Sequence, residues 1–167
     1  MHFPFEMEAL AGLVLQAARD RSWRLASAES CTGGLIAACL TAVPGASDVF
    51  ERGYVTYSNQ AKEDILQVPG DLIADHGAVS ESVARAMAEG GLMASRAHSC
   101  LAITGIAGPG GATPLKPIGR VHFAIAQTRG SIHHRQVDFG NHGRQEIRAA
   151  CVETALQFWL ELLEASY

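Results

Sequence analysis

What most constrains this chain is a recurrent change of hydrophobic period: helix-spaced apolar stretches give way to short β-rich runs, punctuated by glycine. From Glu6 to Arg19, Met7, Leu10, Ala11, Val14, Leu15 and Ala18 keep the spacing of a helix with one buried face. Trp23 to Ala28 (WRLASA) reads as a strand, and CTGG turns it into a helix over Leu35 to Thr41. Pro44-Gly45 breaks the chain, Gly53 to Tyr57 has strand composition, and Asn59 to Leu66 follows as a short helix. After a connection ending at Gly77, Ser80 caps a predicted helix running to about Arg96. Its inner face carries Val83, Met87 and the paired Gly90 and Gly91, a sign of close packing. Cys100 to Thr104 is a short apolar run opening into a glycine-rich loop, as a buried strand would. Val121 to Thr128 and Ile132 to Phe139 read as a hairpin across Arg129-Gly130, and a last helix from Arg144 places Ile147, Cys151, Ala155, Phe158 and Leu162 on one face. Strands interleaved with helices predict an α/β chain, a three-layer α/β/α sandwich whose sheet is mixed but mostly parallel. At 167 residues with no internal linker, residues 1–167 are expected to form a single domain.

Charge and cysteine usage narrow the function classes. The chain carries 17 acidic and 13 basic residues, a formal net charge of −4, with no Lys/Arg run, so a nucleic-acid partner is not expected. Only Lys62 and Lys116 are lysines, which makes each conspicuous. Cys31, Cys39, Cys100 and Cys151 show no close spacing and read as free thiols of a reducing compartment. The N-terminus lacks a basic, then long apolar, secretory pattern, and no stretch of about 18 apolar residues occurs. A cytoplasmic protein without a membrane partner is expected. Seven histidines occur without a metal-binding spacing, so neither metal nor cofactor is expected.

Four segments have residue types suited to chemistry. Glu29-Ser30-Cys31-Thr32-Gly33-Gly34 falls at a strand-to-helix junction, where unpaired N–H groups and the helix dipole stabilise an anion. Ser30 there is a candidate nucleophile, although Ser30 and Thr32 serve equally well as caps. Tyr57-Ser58-Asn59-Gln60-Ala61-Lys62 places a lysine in the first turn of a helix, where the dipole lowers its pKa towards that of a usable base; a solvated surface lysine is the plainer alternative. The interval from Tyr57 to Lys62 is five, not the four of short-chain dehydrogenases, and no GxGxxG precedes it, which excludes that hydride chemistry. Thr104-Gly105-Ile106-Ala107-Gly108-Pro109-Gly110-Gly111 resembles a phosphate cradle without matching a Walker A or Rossmann pattern. Arg144 and Arg148, one turn apart at the start of the last helix, are placed to pair with a phosphate or simply to end a helix in solvent.

Together AESCTGG (28–34), PGAS (44–47), GYVTYSNQAK (53–62), HGAVSE (76–81), TGIAGPGG (104–111) and KPIG (116–119) closely resemble the CinA C-terminal domain family, the nicotinamide mononucleotide deamidases or competence/damage-inducible proteins. The resemblance spans nearly the whole chain. It implies hydrolysis of the carboxamide of nicotinamide mononucleotide to nicotinic acid mononucleotide and ammonia, in a form without the additional N-terminal domain of larger members. It also implies a serine-lysine pair, Ser30 and Lys62, with Tyr57 relaying or orienting and Ser47 of PGAS as a further catalytic candidate. Substrate contacts are expected from Glu29, Thr32, Gly33, Gly34, Asn59, Thr104, Gly105, Gly108 and Arg144, with N–H groups around Thr32 to Gly34 as the oxyanion hole. The chain departs from the family in ATPLKPIG, where many members carry an acidic residue before KP, and in FGNHGR, which replaces a shorter pattern. Two rivals stay open: Cys31 as nucleophile, and a non-catalytic nucleotide-binding sensor. The small-molecule nucleotide is the expected partner, and a homo-oligomer is left open.

Overall fold

The computed structural model describes residues 3–165. Its elements are α1 (Phe5–Asp20), β1 (Leu25–Glu29), α2 (Leu35–Ala42), β2 (Phe50–Val55), α3 (Asn59–Leu66), α4 (Gly70–His76), α5 (Glu81–Met93), β3 (Ser99–Gly105), β4 (Arg120–Gln127), β5 (His133–Asp138) and α6 (Arg144–Ala165), with one 3-10 turn at Ala46–Asp48. The sheet has the order β2-β1-β3-β4-β5. β1 pairs in parallel with β2 and with β3, while β4 runs antiparallel to both β3 and β5. Four strands therefore point one way and β4 alone opposes them, the mixed sheet expected of a hairpin appended to β-α-β units.

Two cores share this sheet. Leu25, Leu101, Ile103, Val121, Phe123 and Ile125 project towards α1, α2 and α6, where Val14, Leu15, Ile36, Leu40, Val152, Leu156 and Trp159 meet them. The buried apolar residues of the opposite face are small, Ala26, Ala28, Cys100, Ala102, Ala124 and Ala126, and they meet α5, α3 and α4. A sheet face of alanines brings a helix in closely, and α5 meets it with glycine. A Cβ on Gly91 would lie 2.6 Å from Cys100 Sγ, and one on Gly90 would lie 1.9 Å from the Leu66 carbonyl oxygen. The close packing expected from the paired glycines is therefore on both sides of α5.

The sequence-based boundaries move where pairing overrides composition. β2 starts at Phe50 rather than Gly53, because Phe50 and Arg52 find ladder partners in Leu25 and Ala26; charged Glu51 and Arg52 conceal an edge strand. α4 lies in the stretch read as a connection: seven residues have too few turns to display a period, and only Ile73 is buried. α5 ends at Met93, three residues before the expected limit. Among the described residues, no helix is long and apolar enough to cross a membrane.

Candidate active site

The parallel strands β1, β2 and β3 end on the same side of the sheet, where such folds open a crevice. There a cleft of about 230 Å³ is bordered by Ser30 and Cys31 after β1, Tyr57, Asn59 and Lys62 after β2, Ala78 and Val79 before α5, Thr104, Gly105 and Ala107 at the end of β3, and Arg144.

Lys62 sits in the first turn of α3, which begins because the Ser58 hydroxyl accepts from the Ala61 N–H. Its side chain runs inward: Lys62 is 1% exposed, and its Nζ lies 3.0 Å from Ser30 Oγ. Nζ also donates to the carbonyls of Thr56 (2.9 Å) and Tyr57 (3.2 Å), with the Ser58 carbonyl at 3.5 Å. No carboxylate is among these partners. Burial pushes the Lys62 amine below its ordinary range, with a small opposing contribution from the neighbouring Cys31 thiol. A neutral amine has two N–H donors and one lone pair, so donation to Thr56 and Tyr57 leaves the lone pair for the Ser30 hydroxyl proton. Ser30 is itself held by its N–H, which donates to the Ile103 carbonyl of β3 (3.1 Å).

The turn after Ser30 is tight: Gly33 and Gly34 have φ of 60° and 97°, conformations that side chains rarely adopt. Its amides are divided. Gly33 N–H donates to the Ser30 carbonyl and Leu35 N–H to the Thr32 carbonyl, while Gly34 and Ile36 donate to Glu29 Oε2 and Ala37 to Glu29 Oε1. The N–H groups of Cys31 and Thr32 hold no hydrogen bond among the described residues. Of the amides expected from the sequence to hold an oxyanion, those of Gly33 and Gly34 are taken up within the protein and Thr32 is fully buried, so the unoccupied N–H that belongs to a cleft-lining residue is that of Cys31.

Several expected site residues take other roles. Glu29 is fully buried and its carboxylate is occupied by α2, so it makes no wall of the cleft. Thr32 is buried, its carbonyl accepting from Arg148 (2.9 Å), and it too lies off the cleft wall. Ser47 is exposed in the 3-10 turn and does not border the cleft, so proximity to Lys62 singles out Ser30. The Tyr57 phenol points outward, 59% exposed, and accepts from Arg144 (3.0 Å); only the Tyr57 carbonyl reaches Lys62. A proton relay through the phenol does not fit this geometry. Cys31 is turned towards the core, where its thiol hydrogen-bonds that of Cys151, whose pKa this contact and burial push up.

The remaining expected residues do converge. Thr104 donates from Oγ1 to the Ala78 carbonyl (2.8 Å), tying the end of β3 to the segment before α5. Gly105 leaves no room for a side chain, since a Cβ would lie 2.6 Å from Val121 Cγ2. Asn59 is exposed at the start of α3, and Arg144 spans the mouth, donating to the carbonyl of Gly108 (2.9 Å) as well as to Tyr57. Ala78 and Val79 were not singled out as site residues, although the HGAVSE motif that contains them was the available signal.

The model of the CinA C-terminal domain matches residues 7–163. The chain belongs to the CinA C-terminal domain family. Curated CinA-like proteins of Synechococcus sp. (strain RCC307) and Anaeromyxobacter sp. (strain Fw109-5) are 46% and 50% identical over 154 and 149 residues, which is 92% and 89% of this chain. The chain covers only 37% and 36% of their own lengths, so it corresponds to about a third of these CinA-like proteins. The solved competence/damage inducible protein CihA of Agrobacterium tumefaciens superposes with a TM-score of 0.94 at 44% identity, covering 98% of this chain and 99% of that one. A CinA superfamily protein of Escherichia coli does so with 0.89 at 33% identity, covering 97% and 94%. The α/β sandwich with its mixed sheet is therefore the CinA fold.

Proposed function

We propose that this CinA-family chain is an amidohydrolase that converts nicotinamide mononucleotide to nicotinic acid mononucleotide and ammonia, with Ser30 as nucleophile and Lys62 as base. The observation that carries this reading is the Lys62 amine, 1% exposed, without a carboxylate partner, and 3.0 Å from Ser30 Oγ. A buried lysine lacking an ion pair is costly unless neutral, and a neutral amine against a hydroxyl is a base against its nucleophile.

An amide carbonyl is a weak electrophile, so the reaction needs an activated nucleophile and stabilisation of the developing oxyanion. Ser30 Oγ attacks the carboxamide carbon as Lys62 Nζ takes the hydroxyl proton, and the oxyanion accepts from the Cys31 N–H group. Lys62 then gives its proton to the amide nitrogen, the C–N bond breaks and ammonia leaves. Water, deprotonated by Lys62, attacks the acyl carbon, and Ser30 is released with its proton restored.

The substrate is suggested by the family resemblance, and the charge of the cleft suits an anion. No Asp or Glu borders it among the described residues, and the Arg144 guanidinium stands at its mouth. The phosphate would meet Arg144 and the 104–111 loop. Ammonia and nicotinic acid mononucleotide should appear when the purified chain is given nicotinamide mononucleotide. Binding without ammonia release would replace the amidase with a nucleotide sensor.

A further inference from the structure

Glu29, a heavily hydrogen-bonded side chain next to Ser30, takes no part in the proposed mechanism. Glu29 is 0% exposed, and its carboxylate accepts four hydrogen bonds: Gly34 (3.1 Å) and Ile36 (3.0 Å) N–H on Oε2, Ala37 N–H (2.8 Å) and the Ser27 hydroxyl (3.2 Å) on Oε1. Four donors converging on two oxygens is the acceptor-only pattern of a carboxylate, and no cation is among them. As the last residue of β1, Glu29 directs its side chain to the same face as Leu25 and Ser27, where α2 packs. Its main chain works on the other half of the pair: the Glu29 carbonyl accepts from Thr56 N–H (2.8 Å), and the Thr56 carbonyl in turn holds Lys62 Nζ.

We infer that Glu29 is the positioning residue of this site: its carboxylate takes up the first amides of α2, so that the Cys31 N–H beside Ser30 is left for the oxyanion. The inference rests on Ser30 being the nucleophile, as proposed above. Without the carboxylate, the amides of Gly34, Ile36 and Ala37 lose their shared acceptor. The turn would then relax towards ordinary helix capping, with the Ser30 and Thr32 hydroxyls competing for those amides. Glutamine cannot replace it, because its NH2 would face two of the four donors.

The test is the second-order rate at which a fluorophosphonate labels Ser30, located by mass spectrometry and expressed per folded protein from circular dichroism. Ammonia release from nicotinamide mononucleotide is measured in parallel. E29Q should label about 100-fold more slowly, the usual effect of losing an oxyanion donor, and E29D should recover part of that rate. Turnover per folded molecule should fall as well, with KM changed by no more than about threefold. A merely structural role would reduce the folded fraction and leave the rate per folded molecule unchanged, and that result would overturn the inference. Should E29Q fail to fold, S27A removes one of the four hydrogen bonds: labelling slowed two- to fivefold supports the assignment, and an unchanged rate overturns it. Labelling without ammonia release in the wild type would refute the amidase reading and leave Glu29 in place; no labelling of wild-type Ser30 would refute both.

Discussion

The two ends of the cleft are built differently. At the inner end Ser30 and Lys62 are 8% and 1% exposed, and each is tied to main chain at the end of a strand or the start of a helix. At the outer end Tyr57, Asn59 and Arg144 are exposed, and Arg144 is held by one loop carbonyl and one phenol. Bond making needs atoms held to within a few tenths of an ångström, and packed elements supply that; grasping a flexible, charged group needs reach, and loops supply that. Substitutions at the inner end should therefore act on kcat and those at the mouth on KM.

The largest effect is expected at Ser30. Ser30→Ala should lower ammonia release by about four orders of magnitude, as loss of a serine nucleophile usually does, while calorimetry still detects nucleotide binding. Ser47→Ala should leave turnover within about twofold; the reverse pattern would move the chemistry to the 3-10 turn and break the contrast.

Lys62→Arg should be nearly as damaging, because arginine keeps the charge but does not give up its proton. For the wild type, kcat/KM should rise with pH as Lys62 becomes neutral, through a value below the ordinary 10.5 since burial lowers it. Between that lowered value and 10.5 the unfolded chain binds the more protons at this position, so stability also rises with pH there. Lys62→Met should remove that part of the slope in thermal melts taken across the window. An active arginine variant would show that charge, not basicity, is what the inner end supplies.

At the mouth, Arg144→Ala should cost roughly 10- to 100-fold in kcat/KM on nicotinamide mononucleotide, the scale of one charge-assisted hydrogen bond, and little on nicotinamide riboside. Equal losses on both substrates would make Arg144 a support for the Gly108 loop instead. The smallest effect is expected for Tyr57→Phe, a two- to fivefold rise in KM from the loss of one partner of Arg144, with the pH profile unmoved. A collapse of kcat would return the phenol to the proton path.

Much of this was legible in residue order. Asn59–Leu66 and the start of α6 at Arg144 match their expected limits, because each carries a cap or a period within its own span. β2 and α4 were less legible, since a partner strand and a packed helix define them more than their own composition does. In the site, Ser30 and Lys62 could be nominated from residue types and motif likeness, but so could Ser47, Glu29 and the Tyr57 phenol. Nothing within a short motif distinguishes a side chain that faces the cleft from one that faces a helix.

What sequence by itself determined is the alternation of strand and helix, the net negative charge of the chain and the short list of reactive residues, all properties of local period and residue chemistry. Only the tertiary structure decided which of them meet. Ser30 and Lys62 are 32 residues apart and touch because parallel pairing of β1 with β2 brings the two strand ends side by side. Glu29, adjacent to Ser30 in sequence, turns away from the cleft, because successive side chains of a strand project to opposite faces and α2 covers the face that Glu29 occupies.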